Sequence, residues 1–157
     1  MTHSVPNAVR DTARIPDPEG GGPAAGEDAG GTVVAVEQVP KPWGHEEIFA
    51  ILEGSYVGKI LHIVAGGELS LQRHLAKDET VAVQSGRVRI DHGPDADHLR
   101  TATLLPGDCL RIRPHVVHRI SADVDSVVLE TSTAGPGWRT DVVRLEDRYG
   151  RGGTTLP

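Results

Sequence analysis

The chain is expected to fold as an all-β sandwich or barrel. Three observations point there: many short β-branched runs, turn signals between them, and no window with a long helical apolar period. Of its 157 residues 38% are hydrophobic and only 3% aromatic, so the core must come from Val, Ile, Leu and Ala. Those residues recur in runs of strand length, as a pleated, half-buried surface requires.

Residues 1–31 come first and read differently. Pro16-Asp17-Pro18-Glu19-Gly20-Gly21-Gly22-Pro23 and the sequence to Gly31 are rich in Gly, Pro, Ala and Asp. Such a composition buries too little apolar surface to offset the entropy of ordering it, and predicts a disordered tail. One domain over 32–157 follows. Its expected strands are 32–39, 46–52, 56–64, 69–74, 79–84, 87–91, 99–105, 109–113, 116–120, 126–131 and 140–145. Glu53-Gly54, Gly66-Gly67, Ser85-Gly86, Gly93-Pro94 and Pro106-Gly107 supply turns between them. A short helix over 141–149 is the competing reading of the last segment, weakened by the β-branched pair Val142-Val143.

Charge and cysteine content narrow the function. The formal charge of −6 opposes nucleic-acid binding, which calls for a basic face. An anionic substrate stays compatible, because basic side chains can gather in one pocket of an acidic protein. Cys109 is the only cysteine and is expected to be a small buried apolar residue. No run approaches the roughly 20 apolar residues of a membrane span, and none has signal-peptide length. A cytoplasmic protein without membrane contact is expected.

The chemistry-bearing stretch is Leu69-Ser70-Leu71-Gln72-Arg73-His74-Leu75-Ala76-Lys77-Asp78-Glu79. Residues two apart on a strand share a face, so Gln72 and His74 aim at one point. The polar residues after them permit a turn, and Glu79 opens the next apolar strand, Val81-Ala82-Val83. A fourth donor is expected from a remote strand, where His118 stands in Val116-Val117-His118-Arg119-Ile120. An amide oxygen, two imidazoles and a carboxylate suit one divalent ion, with Zn ahead of Mn, Fe, Ni and Co. The remaining histidines, His45, His62, His92, His98 and His115, lack partner spacing and are expected as surface or packed residues. His62 shares a strand face with Ile60 and Val64, and becomes a pocket residue if that face is the interior.

Gly66-x5-Gln72-x-His74-x4-Glu79-x6-Gly86 resembles the first cupin motif, with Gln in place of the commoner His. Residues 107–118 resemble the second, departing at Pro114-His115, where Pro-x-Gly is usual. Within the superfamily the chain looks most similar to the type II phosphomannose isomerases. Lys41-Pro42-Trp43-Gly44, Lys59, Leu69-Ser70-Leu71-Gln72-Arg73-His74 and the stretch Asp141-Val142-Val143-Arg144-Leu145-Glu146-Asp147-Arg148-Tyr149-Gly150-Arg151 carry the likeness, which covers about residues 40–151. It implies a double-stranded β-helix, or jelly-roll barrel, that pairs as a homodimer. It also implies a metal-dependent isomerase acting on a sugar phosphate or related anionic sugar derivative.

Lys59 is then the expected base, Arg144 the clamp for the anionic end, and Lys77 a substrate-binding residue. Trp43 reads as packing beside a Gly turn. Thr80 and Lys77 stand where those isomerases carry Trp and Arg, and both substitutions fall where a sugar pocket is expected. The nucleotidyltransferase domain of bifunctional relatives has no counterpart here. Two other readings remain open: a pathway cupin with epimerase, dehydratase, cyclase or iron-dioxygenase chemistry, and a non-catalytic metabolite-binding cupin.

Overall fold

Alternating apolar side chains dictate eleven strands among the described residues, 33–154, of the computed structural model; the predicted tail over 1–31 lies outside them. The strands are β1 (Glu37–Lys41), β2 (Gly44–Leu52), β3 (Tyr56–Ile63), β4 (Leu71–Arg73), β5 (Glu79–Ser85), β6 (Val88–Gly93), β7 (Arg100–Leu104), β8 (Cys109–Ile112), β9 (Val117–Ala122), β10 (Ser126–Thr133) and β11 (Val143–Glu146). Each answers to a segment expected from the sequence. The first shifts towards β2, and Pro40 is tolerated there because β1 pairs on one side only. No helix forms over 141–149, since Val142 is buried and Val143 pairs with Arg73.

Two antiparallel sheets result, ordered β1-β2-β3-β10-β5-β8 and β11-β4-β9-β6-β7. After β3 the chain repeatedly crosses between them: β4 lies in the second sheet, β5 in the first, β6 and β7 in the second, β8 in the first, β9 in the second, β10 in the first and β11 in the second. Residues close in sequence therefore face each other across the interior. Leu61, Ile63, Val81, Val83, Val88, Ile90, Ile120 and Val128 form the main core, with Trp43 packed among them as expected. A smaller cluster of Ile48, Val57, Ala134 and Trp138 seals the end near β1.

Two turns fix the geometry. Gly44 has φ 140°, and a Cβ there would lie 1.9 Å from the His62 carbonyl oxygen, so the Lys41-Pro42-Trp43-Gly44 hairpin requires glycine. The Pro114-His115 turn keeps its course without glycine: His115 takes a left-handed φ of 69° and donates its N–H to the His74 carbonyl at 2.7 Å. That bond ties the segment before β9 to the end of β4.

Other positions differ from expectation. Cys109 is exposed, because β8 is an edge strand whose inward residues are Leu110 and Ile112. Thr80 points outward, opposite Arg111 and Thr131, since Glu79 and Val81 take the inner face of β5. Its replacement of a tryptophan therefore leaves the interior untouched. The face shared by Ile60 and His62 is likewise external, with Lys59, Leu61 and Ile63 turned inward.

A residue forced into the left-handed region carries strain of about 1–2 kcal/mol, partly offset by the greater unfolded-state freedom of glycine. His115→Gly is expected to stabilise the protein by about 0.5–1 kcal/mol, read as a rise in the urea midpoint at unchanged slope.

Candidate metal centre and cleft

The four residues singled out as ligands converge. Gln72 on β4 sits opposite His118 on β9, and His74 follows at the end of β4. Residues 74–78 carry the chain to the other sheet, so Glu79 at the start of β5 faces all three. His118 Nε2 lies 3.0 Å from Glu79 Oε1, and His74 Nε2 lies 3.6 Å from Glu79 Oε2. The donor atoms of His74, Glu79 and His118 all fall within 4.8 Å of one another, and all three residues are buried. Two donors on one tetrahedral zinc stand about 3.3 Å apart, so small side-chain adjustments would close the set.

The rings are oriented for ligation. His74 Nδ1 contacts the Asp141 carbonyl, and His118 Nδ1 lies 3.0 Å from the Val116 carbonyl. A carbonyl only accepts, so each ring holds a proton on Nδ1 and turns Nε2 towards Glu79. Burial first, then the Lys77 ammonium, pushes the His74 pKa down from 6.5 to about 4, so this ring stays neutral near pH 7. The residues present thus fit a divalent ion.

Gln72 stands beside the cluster with its Nε2 3.4 Å from His74 Nε2, while its Oε1 accepts from Ser70 Oγ at 2.6 Å. Turning the amide over exchanges its ends, bringing the oxygen to the cluster and the NH2 to the serine.

Lys77 is placed differently from the expectation of a substrate contact alone. Its Nζ lies 2.7 Å from Glu79 Oε2 and 3.1 Å from Glu130 Oε1, and the side chain is buried at the wall of the cleft. Burial opposes its charge, yet Glu130 and Glu79 prevail and raise its pKa. Burial also pushes the Glu79 carboxyl up, but Lys77 and His118 hold it well below the usual carboxylate range. The pairing continues inward from Glu130. Lys59 Nζ lies 3.9 Å from Glu130 and 3.5 Å from Glu46, whose other oxygen is 3.3 Å from Lys41 Nζ. Three lysines and three glutamates therefore alternate from β1 to the metal cluster.

A cleft opens beside this chain, reaching the cluster through Gln72, His74 and Lys77. Its walls carry six basic side chains, Lys41, Lys59, Lys77, Arg139, Arg144 and Arg151, against four acidic ones. Arg144 of β11 is paired in register with Gln72, so Arg144, Gln72 and His118 form one row across three strands. Arg144 Nη1 donates to the Thr154 carbonyl at 2.8 Å, while its buried Nε has no hydrogen-bond partner. Arg151, by contrast, is paired with Asp147 at 2.8 Å.

The architecture matches solved structures. Capsular polysaccharide assembling protein CapF of Staphylococcus aureus superposes with a TM-score of 0.64 at 16% identity, over 73% of this chain and 35% of that one. An RmlC-like cupin of Shewanella frigidimarina gives 0.54 at 14% identity, over 65% and 86%. This chain has the cupin fold. KdgF of Halomonas sp. gives 0.54 at 18% identity, over 62% and 86%. The cupin barrel described here thus spans about a third of CapF and most of the two smaller proteins. No family profile and no curated protein sequence matches the chain.

Sequence reasoning missed Glu46, Glu130 and Asp141 as parts of the site. Glu46 alternates with Ile48, and Glu130 with Val128 and Ser132, so each is a carboxylate on an otherwise core-facing strand side. That is a readable signal. Asp141 gave no such sign, since its partners are 64 to 67 residues away. Its carboxylate accepts the backbone N–H groups of Leu75, Ala76 and Lys77 at 2.8, 3.0 and 2.7 Å, and its carbonyl meets His74. One residue thus fixes both the His74 ring and the loop that delivers Glu79.

Asp141→Ala should lower stability by about 2 kcal/mol and weaken metal binding by about 10–100-fold, measured by chemical denaturation and by zinc titration. A second expectation concerns pH in metal-free protein. Unfolded His74 takes up its proton near 6.5 and folded His74 only near 4, so between these values the unfolded state binds more protons. Stability therefore falls as pH drops through that window, by on the order of 3 kcal/mol from this residue. The melting temperature of wild type should fall more steeply from pH 7 to pH 4 than that of His74→Gln; parallel curves would contradict it.

Proposed function

We propose that the protein is a metal-dependent cupin enzyme that isomerises a sugar phosphate or a related anionic sugar derivative. The observation that carries this reading is the buried His74–Glu79–His118 cluster, reached through His74 from a cleft whose walls carry six basic side chains, Arg144 among them. Similarity to a capsular polysaccharide assembling protein accords with a carbohydrate-derived substrate.

Gln72, His74, Glu79 and His118 would hold the ion. When bound it supplies a Lewis acid next to the substrate carbonyl. The residues of the chain do the rest. Arg144 offers a planar fork to the anionic end, and its burial makes that contact stronger than it would be in water. Lys77 keeps Glu79 ionised and orients it. An aldose–ketose exchange needs one group to lift a proton from carbon and return it to the adjacent carbon. It also moves a hydroxyl proton between the two oxygens, and no oxidant is consumed. Lys59 was expected to be that base from its sequence position. Its ammonium is flanked by Glu46 and Glu130, an arrangement that suits a proton donor. We therefore assign the carbon-bound proton to the Glu130 carboxylate and the oxygen-bound proton to Lys59.

With zinc or manganese present, mannose 6-phosphate in deuterated water should exchange its C2 proton, followed by NMR. Arg144→Ala should raise KM by about 10–100-fold with a smaller change in kcat, and His118→Ala should abolish exchange. No exchange with any of the candidate divalent ions would remove this substrate from the reading. Oxygen uptake with bound iron would replace isomerase by oxygenase chemistry.

A further inference from the structure

The outer surface of the six-stranded sheet holds a second group of metal-ligating side chains. His45 on β2 and His62 on β3 are direct cross-strand partners, and Glu47 follows two residues along on the same face. The imidazoles stack with centroids 4.2 Å apart and planes within 9°. Glu47 reaches both rings: Oε1 is 3.7 Å from His45 Nε2, and Oε2 is 3.6 Å from His62 Nε2. All three donor atoms lie within 4.8 Å of one another. Both Glu47–imidazole separations exceed hydrogen-bonding distance, so the group does not satisfy itself. His62 Nε2 is buried and has no hydrogen-bond partner.

The setting is built rather than accidental. Gln38 on β1 donates its amide to Glu47 Oε1 at 3.1 Å, fixing the carboxylate from the far side. The backbone below is a paired antiparallel ladder that holds His45 and His62 in register. Glu46, between the two donors of β2, points through the sheet to Lys41 and Lys59. This exterior group and the interior cluster therefore share no side chain, and only Glu79 of the interior set stands on the same sheet.

We propose that His45, Glu47 and His62 form a second, exterior site for a divalent transition-metal ion. Two imidazole nitrogens and one carboxylate oxygen are the donors that zinc, nickel and copper(II) prefer over magnesium or calcium. Closing the set needs the stacked rings to splay until their Nε2 atoms converge with Glu47 on one point, a movement of exposed and half-buried side chains and not of backbone. Three protein donors leave at least one position for water or a small anion.

Tag-free, chelator-stripped protein is titrated with zinc alone against a chromophoric chelator, and the stoichiometry is confirmed by native mass spectrometry. Wild type should take two equivalents. His62→Ala and Glu47→Gln, each checked for folding by circular dichroism, should keep one and weaken the other by more than about tenfold. His74→Ala/His118→Ala should show the reverse pattern, retaining the exterior equivalent. A single wild-type equivalent that disappears in His62→Ala yet survives His118→Ala supports the exterior site and removes the interior one. A second equivalent that persists unchanged in both His62→Ala and Glu47→Gln overturns the proposal. So does a wild-type stoichiometry of one that neither substitution alters.

Discussion

Lys77 and Glu79, 2.7 Å apart and buried, join the His74–Glu79–His118 cluster to the wall of the cleft. Removing either charge from water costs several kcal/mol, and the compensation comes from what surrounds the pair. Glu79 also faces His118 and His74, and Lys77 also faces Glu130. The pattern repeats through Lys59, Glu46 and Lys41. From Lys41 to Glu79 the signs alternate, so each charge of this series has at least one opposite neighbour. Replacing such a network with apolar residues is often neutral or favourable for stability, which makes stability a poor reason for its presence. A series of buried ion pairs beside a cleft marks a candidate functional site.

The barrel makes this network possible. Successive strands cross from sheet to sheet, so the segment carrying Gln72 and His74 lies on one wall and Glu79 and Glu130 on the other. Asp141 and His115 then lock the loop and the turn on either side of His74. The ring orientation of both imidazoles follows from backbone carbonyls on the Nδ1 side. Such fixed outer partners give a site its orientation before any ion arrives. The electrostatics are equally local. A chain of net charge −6 presents a basic cleft because Arg139, Arg144 and Arg151 come from the C-terminal segment to join lysines of β1, β3 and the 74–78 loop.

Where reading the residues in order failed, the failures have physical causes. Cys109 looked apolar and is exposed, because an edge strand has one face to fill and Leu110 and Ile112 fill it. Thr80 looked like a pocket substitution, but the two-residue period that turns Glu79 inward turns its neighbour outward. His45 and His62 lacked partner spacing along the chain, and are partners because β2 and β3 pair in a register that sets them opposite. Lys77, expected to bind substrate, lines the cleft and also pairs with Glu79 and Glu130, and the Glu130 partner lies 53 residues away.

The amino-acid order by itself determined the strands, the apolar core and the identity of the four residues that meet at the interior cluster. Those follow from a two-residue alternation, turn residues and donor chemistry, all of which are local. Only the tertiary structure decided which face each strand turns inward, which carboxylates and ammonium groups neutralise one another, and which histidines become neighbours. These depend on strand register and on contacts as distant as Asp141 with Leu75, 66 residues apart, and no local pattern encodes them.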